Sequence, residues 1–73
     1  MAALGKTVKY LRQLKGFTQK EIYSGITSRS FAIRFEQGQH DISASKLFAL
    51  LDRLVIPADE FLYIHQEYQL TPS

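Results

Sequence analysis

The apolar positions of this chain recur at intervals of three and four rather than two, in five separate stretches. Such spacing gathers side chains on one face of a helix, at roughly 100° per residue, whereas strict alternation would mark strands. The first stretch covers about residues 3–15, where Leu4, Val8, Leu11 and Leu14 form a stripe that ends at Gly16. The second opens on Thr18 as an N-cap, with Glu21 three residues on to complete a capping box. It closes near Ser24, where Gly25 can take the left-handed backbone conformation. The third follows Ser28, again a capping residue, and stops before Gly38. The fourth follows Ser43 and aligns Leu47, Leu50, Leu51 and Leu54. The fifth follows Pro57, with Asp59 and Glu60 in its first turn, where the helix dipole favours anions. Phe61, Leu62 and Ile64 form its apolar side. The pattern predicts an all-α chain, a compact five-helix bundle with Phe17, Phe31, Phe35, Phe48 and Phe61 in its core. Residues 66–73 are polar and end in Thr-Pro-Ser, which reads as a flexible tail or the start of a linker after a domain of residues 1–65.

Residues 18–38 add a second level of order. A short capped helix, a glycine turn and another capped helix fit within 21 residues, the spacing of a helix-turn-helix. The second of these helices, about 29–37, is narrow enough to enter a DNA major groove. Ala32 and Phe35, flanked by Phe31, face one way along it, and Ser30, Arg34 and Gln37 face the other, with Ile33 at the edge. Arg29 and Ser30 lie in its first turn, where helix-turn-helix proteins present side chains to base edges.

Charge changes the picture only when it is divided along the chain. The net +2 hides +6 over residues 1–35 and −4 over residues 36–73. A polyanion would meet the first half and be repelled by the second. Seventy-three residues make one small domain, and 45% hydrophobic with 22% charged residues describe a folded chain rather than a disordered one. The absence of cysteine excludes disulfides and thiolate metal sites; His40 and His65, 25 positions apart, do not suggest a zinc site, and His65 reads as a surface residue. No apolar run approaches the roughly 18 residues of a membrane span, and residues 1–7 lack the apolar stretch of a signal peptide, so a cytoplasmic protein is expected.

Catalysis finds little support. No nucleophile motif and no Gly-rich phosphate loop is present, and the adjacent carboxylates Asp59 and Glu60 diverge on a helix. A bundle of this size also has little volume for a pocket of several hundred cubic ångströms. The expectation is a non-enzyme with no cofactor and no metal.

The strings Leu4-Gly5-Lys6, Leu11-Arg12, Lys15-Gly16-Phe17-Thr18-Gln19-Lys20-Glu21 and Phe35-Glu36-Gln37-Gly38 resemble the lambda-repressor-like (XRE-type) helix-turn-helix domain. Residues 25–31, Asp41-Ile42-Ser43, Lys46-Leu47, Leu50-Leu51-Asp52-Arg53-Leu54 and Asp59-Glu60-Phe61-Leu62 narrow the likeness to the N-terminal domain of Rgg/GadR/MutR-type regulators. The chain departs from the broader pattern in having Tyr23 where a small alanine is usual, a turn one residue shorter, and Ile33 in place of a small polar residue. Ile33 would either touch a thymine methyl group or pack.

The resemblance implies a lambda-repressor-like bundle that binds double-stranded DNA as part of a dimeric transcription factor. Its C-terminal helical-repeat domain, outside this chain, would bind any signalling peptide. Within the motif, Arg29 is assigned to a base edge, Ser30 to the DNA surface, and Arg34 to a base edge or a phosphate. Ser28 caps the reading helix beside them. Gln19, through its backbone N–H and amide, and Lys46, at the start of the fourth helix, are assigned to phosphates. The positions of Arg12 and Glu36 correspond in the family to a largely buried ion pair tying the first helix to the reading helix. Dimers of the family occupy half-sites about 34 Å apart. No heptad seam is present here, so this chain is expected to be monomeric or weakly dimeric, with Tyr63, Ile64 and Tyr68 the spare apolar surface. The alternative is a helical protein-interaction module of the same fold that does not bind DNA.

Overall fold

The computed structural model describes residues 4–70, with side chains through residue 67. Ala3, the side chain of Tyr68 and residues 71–73 lie outside the described residues. Five helices follow in order: α1 Leu4–Lys15, α2 Gln19–Tyr23, α3 Arg29–Glu36, α4 Ala44–Leu54 and α5 Ala58–Leu70. Among the described residues there is no strand. No helix among them is long and apolar enough to cross a membrane. The body measures 33 × 24 × 23 Å.

Each short helix is started by a side chain. Thr18 accepts from the Glu21 N–H while Glu21 accepts from the Thr18 N–H, closing a capping box. Ser28 accepts from the Phe31 N–H and Ser43 from the Lys46 N–H. These oxygens satisfy donors that the first turn of a helix cannot pair internally. Gly25, at φ +80°, turns the chain between α2 and α3. α4 ends differently, on Val55 in the left-handed region at φ 59°. The continuation of α5 to Leu70 carries regular helix across the boundary that composition places at residues 65 and 66.

The core is built from Val8 and Leu11 of α1, Ile22 and Tyr23 of α2, Ala32 and Phe35 of α3, Leu50, Leu51 and Leu54 of α4, and Ile56 and Phe61. α1 lies against α3, α4 and α5, and α2 is held between α3 and α4. Where α1 crosses α3 the backbones nearly touch. A Cβ at Gly5 would sit 1.7 Å from the Phe35 carbonyl oxygen, so no side chain fits there.

Four sequence expectations need correction. Leu14 is 67% exposed and Phe48 55% exposed. The buried face of α1 runs instead through Gly5, Thr7, Val8, Leu11 and Arg12, turned toward α3 and α5. Leu62, expected on the apolar side of α5, is exposed as well. His65, expected at the surface, is buried. Its ring lies parallel to that of Phe61, centroids 6.1 Å apart, and its Nδ1 shares a hydrogen bond of 2.7 Å with the Thr7 hydroxyl.

Burial lowers the pKa of His65, so the folded chain favours the neutral ring. The unfolded chain binds a proton near the ordinary value of roughly 6.5. Stability from this joint is therefore complete above that pH and is lost as pH falls through the lower folded value. Thermal melts between pH 7.5 and 5 should show the melting temperature falling with acid, and His65→Gln should flatten that fall. An equally steep fall in the variant would assign the acid sensitivity elsewhere.

Candidate nucleic-acid interface

α3 presents two unlike sides because eight residues at helical spacing place Ala32, Phe35 and Glu36 inward and leave Arg29, Ser30, Ile33 and Arg34 exposed. Gln37, the C-cap, is exposed on the same outer side as Ser30 and Arg34. The inner side is pinned by aromatic packing. Phe35 meets Tyr23 edge to face, with ring centroids 6.3 Å apart, and lies nearly parallel to Phe31 at 6.2 Å. Phe31 is covered in turn by His40, whose ring stacks on it at 5.6 Å. The loop after α3 is thereby fastened to the helix.

Beneath the outer side lies a polar hub. The Glu36 carboxylate, 3% exposed, accepts from Arg12 Nε and Nη2 at 2.8 Å each, from the Tyr23 hydroxyl at 2.8 Å and from Gln19 Nε2 at 3.0 Å. Arg12 also donates to the Phe17 carbonyl at 2.8 Å, so one guanidinium joins α1, the loop before α2, and α3. Two parallel bonds between guanidinium and carboxylate are the strong form of this pairing. Burial by itself would raise the Glu36 carboxyl, but the donors from Arg12, Gln19 and Tyr23 outweigh it and hold the group below the usual carboxylate range. The bond to Glu36 raises Arg12 in turn, and burial followed by the nearby negative charge raises the Tyr23 phenol, which stays protonated and donating. Among the described residues no buried side-chain polar atom lacks a partner.

One N–H of the Gln19 side-chain amide is directed inward to Glu36. What the start of α2 can offer outward is the backbone N–H groups of Gln19 and Lys20, which no residue of the helix can accept from. Ser28 caps α3 through its hydroxyl. Lys46 is exposed in the first turn of α4. Arg29, Ser30, Arg34 and Lys46 thus occupy solvent-exposed positions on the helix starts and on the outer side of α3, while Arg12 and Glu36 are buried.

Between α2 and the start of α3 lies an open cleft of about 680 Å³, larger than a bundle of this length was expected to leave. Its lining includes Lys20 and Arg29 and no carboxylate, so it attracts anions. No group of metal-ligating side chains occurs among the described residues.

Two contributors were not visible in the sequence. Tyr23 is buried in the core, and a buried phenol needs a hydrogen-bond partner, which could have pointed to Glu36. Arg53, late in α4, donates to the Ile22 carbonyl at 3.1 Å and to the Ser24 carbonyl, closing the end of α2. Nothing in its local sequence marks that reach across 29 to 31 residues.

No protein-family model matches the sequence, and the comparison with curated proteins finds no match. Solved structures do match. A "putative transcriptional regulator from Listeria monocytogenes EGD-e" is 44% identical over 90% of this chain, with a TM-score of 0.87. PrgX, solved in complex with iCF10, is 30% identical over 96% of the chain, with a TM-score of 0.79. The chain covers 22% of the Listeria protein and 21% of PrgX, about a fifth of each. At that level of identity the likeness extends beyond the path of the backbone: this five-helix unit is similar in sequence and fold to a part of a protein described as a transcriptional regulator.

Proposed function

We propose that the chain binds double-stranded DNA in a sequence-specific way for transcription regulation, with α3 in the major groove. The observation that carries this is the outer side of α3. Arg29, Ser30, Ile33, Arg34 and Gln37 are exposed on a helix whose inner side is locked by Phe35 and Glu36. The 44% identity to a regulator supports the reading. A mobility shift with mixed-sequence duplex at low salt tests it. Binding that weakens steeply with salt is the expected result. No binding would favour the alternative, a module of the same fold whose basic surface meets an acidic protein.

In this reading Arg29 reads a base and Lys46 anchors a phosphate. An arginine can donate two hydrogen bonds to the O6 and N7 of a guanine, a pairing that carries sequence information. A lysine beside a phosphate adds affinity without it. Once a preferred site has been selected from random duplexes, Arg29→Ala should cost about 1–3 kcal/mol there and relax the preference at one base pair. Lys46→Ala should weaken all duplexes alike and reduce the salt slope by about one unit. Equal loss on preferred and random DNA in the arginine variant would make Arg29 a phosphate ligand instead.

The whole protein is proposed to act as a homodimer in the cytoplasm on two half-sites. Residues 1–65 form its DNA-binding domain, and the segment from residue 66 leads to a C-terminal domain that carries any signalling-peptide site. PrgX, of which this chain matches about a fifth, is itself solved in a complex. On the described part of α5, Leu62 and Tyr63 are exposed and Ile64 is half-buried, and the sequence carries no heptad seam, so this chain by itself is proposed to be monomeric or weakly dimeric.

A further inference from the structure

The outer side of α3 does not stop at Arg34. Ser30, Arg34 and Gln37 follow one another at helical spacing, and Gln37 lies on a shallow groove of about 350 Å³ whose other wall is α1, with Lys6, Lys9, Tyr10 and Gln13. Lys6, Lys9 and Gln13 stand three and four residues apart, so they occupy one face of α1, and all three are exposed. α1 contains no acidic residue. The carboxylate that lines this groove, Glu36, is engaged by Arg12, Gln19 and Tyr23, so its charge is compensated from the buried side. The groove therefore attracts anions with little to oppose it.

Its position gives the attraction a partner. From Arg29 to Gln37 the helix rises roughly 12 Å, at about 1.5 Å per residue. That is close to the ~12 Å width of a major groove. With the first turn of α3 at the base edges, its far end reaches the sugar-phosphate strand that bounds the groove. We propose that Lys6 and Lys9 hold that flanking strand of duplex DNA, as a second phosphate-contact surface apart from the start of α2 and from Lys46. The inference rests on α3 entering the major groove. It assigns affinity to α1 and no sequence preference.

The test compares the chain, Lys6→Gln/Lys9→Gln, and Lys15→Gln, which removes a charge from the exposed end of α1 outside the groove. Each is titrated with one duplex at salt concentrations from about 50 to 200 mM, the range over which counterion release is read as a slope. Matching thermal melts establish that the exposed glutamines leave the fold intact. Two phosphate contacts at about 0.9 each predict a slope shallower by roughly 1.8 in the double variant, so that across this range it loses about 12-fold less affinity than the parent chain. Lys15→Gln should keep the parental slope, and the preferred base sequence should not change in either variant. A double-variant slope equal to that of the parent, or a Lys15→Gln slope shifted as far as the double variant's, overturns the groove assignment while leaving DNA binding in place. A parent chain that binds no duplex at low salt overturns both.

Discussion

Glu36→Ala is expected to destabilise the chain by roughly 3–5 kcal/mol, the cost of stranding a buried charge. The variant leaves the Arg12 guanidinium, 9% exposed, without its carboxylate, and deprives the Tyr23 hydroxyl and the Gln19 amide of their acceptor. A domain of this length has a total stability of about 4–11 kcal/mol, at ~0.05–0.15 kcal/mol per residue, so much of it would go. Urea unfolding measures the loss directly. Replacing both partners, as in Arg12→Met with Glu36→Leu, should cost less than the sum of the single changes, because neither charge is then left behind. A loss under about 1 kcal/mol in Glu36→Ala would mean that the pair behaves as an exposed one. The same carboxylate sets an acid limit. With its folded pKa below the unfolded value of roughly 4.3, its contribution is present above that pH and disappears as pH falls through the folded value.

Gly5→Ala should be nearly as damaging, and in the direction opposite to helix propensity. Alanine is favoured over glycine inside a helix by up to about 1 kcal/mol, so an exposed position would gain from the change. Here the new methyl would lie 1.7 Å from the Phe35 carbonyl oxygen and 2.5 Å from its carbon. Both are backbone atoms in the middle of the core and cannot rotate away. α1 must instead lift from α3, which strains the Arg12–Glu36 pair held between the same two helices. We expect a loss of about 3 kcal/mol or more, at or above the top of the usual range for overpacking. Thermal denaturation read by circular dichroism tests this. An unchanged or higher melting temperature would show that the two helices do not approach as closely as described.

The elements were legible in the sequence because their causes are local. Thr18, Ser28 and Ser43 cap helices that begin where those residues predict, since a cap needs only a hydroxyl and a donor three residues away. The reading of core positions was less complete. Periodicity gives α1 an apolar stripe but not how far along it the neighbouring helices reach: Leu14 lies only about 20° from Thr7 around the helix, yet Thr7 is covered and Leu14, two turns on, is exposed. Phe48 is exposed because α4 is covered along Leu50, Leu51 and Leu54. The Arg12–Glu36 pair follows from the family resemblance, but other contacts between distant residues carry no local mark in the sequence. Thr7 meets His65 across 58 residues, and Gln19 turns inward because Glu36 offers an acceptor 17 residues away. The exposure of Arg29, Ser30, Arg34 and Lys46 follows from helix geometry, whereas their partners depend on a second molecule.

α2 has five residues, too few to persist as a helix in water. It is nevertheless tied at its first residue by Gln19 and at its last by Tyr23, both to Glu36, and its terminal carbonyls are held by Arg53. The unit of α2 and α3 is consequently ordered when the chain folds and has little left to order afterwards. A surface already in its working shape loses less freedom on association than one that must settle into it. For a surface of this kind, encounters would be limited by diffusion and orientation, and the lifetime of a complex would be set by the contacts themselves rather than by rearrangement of the helices.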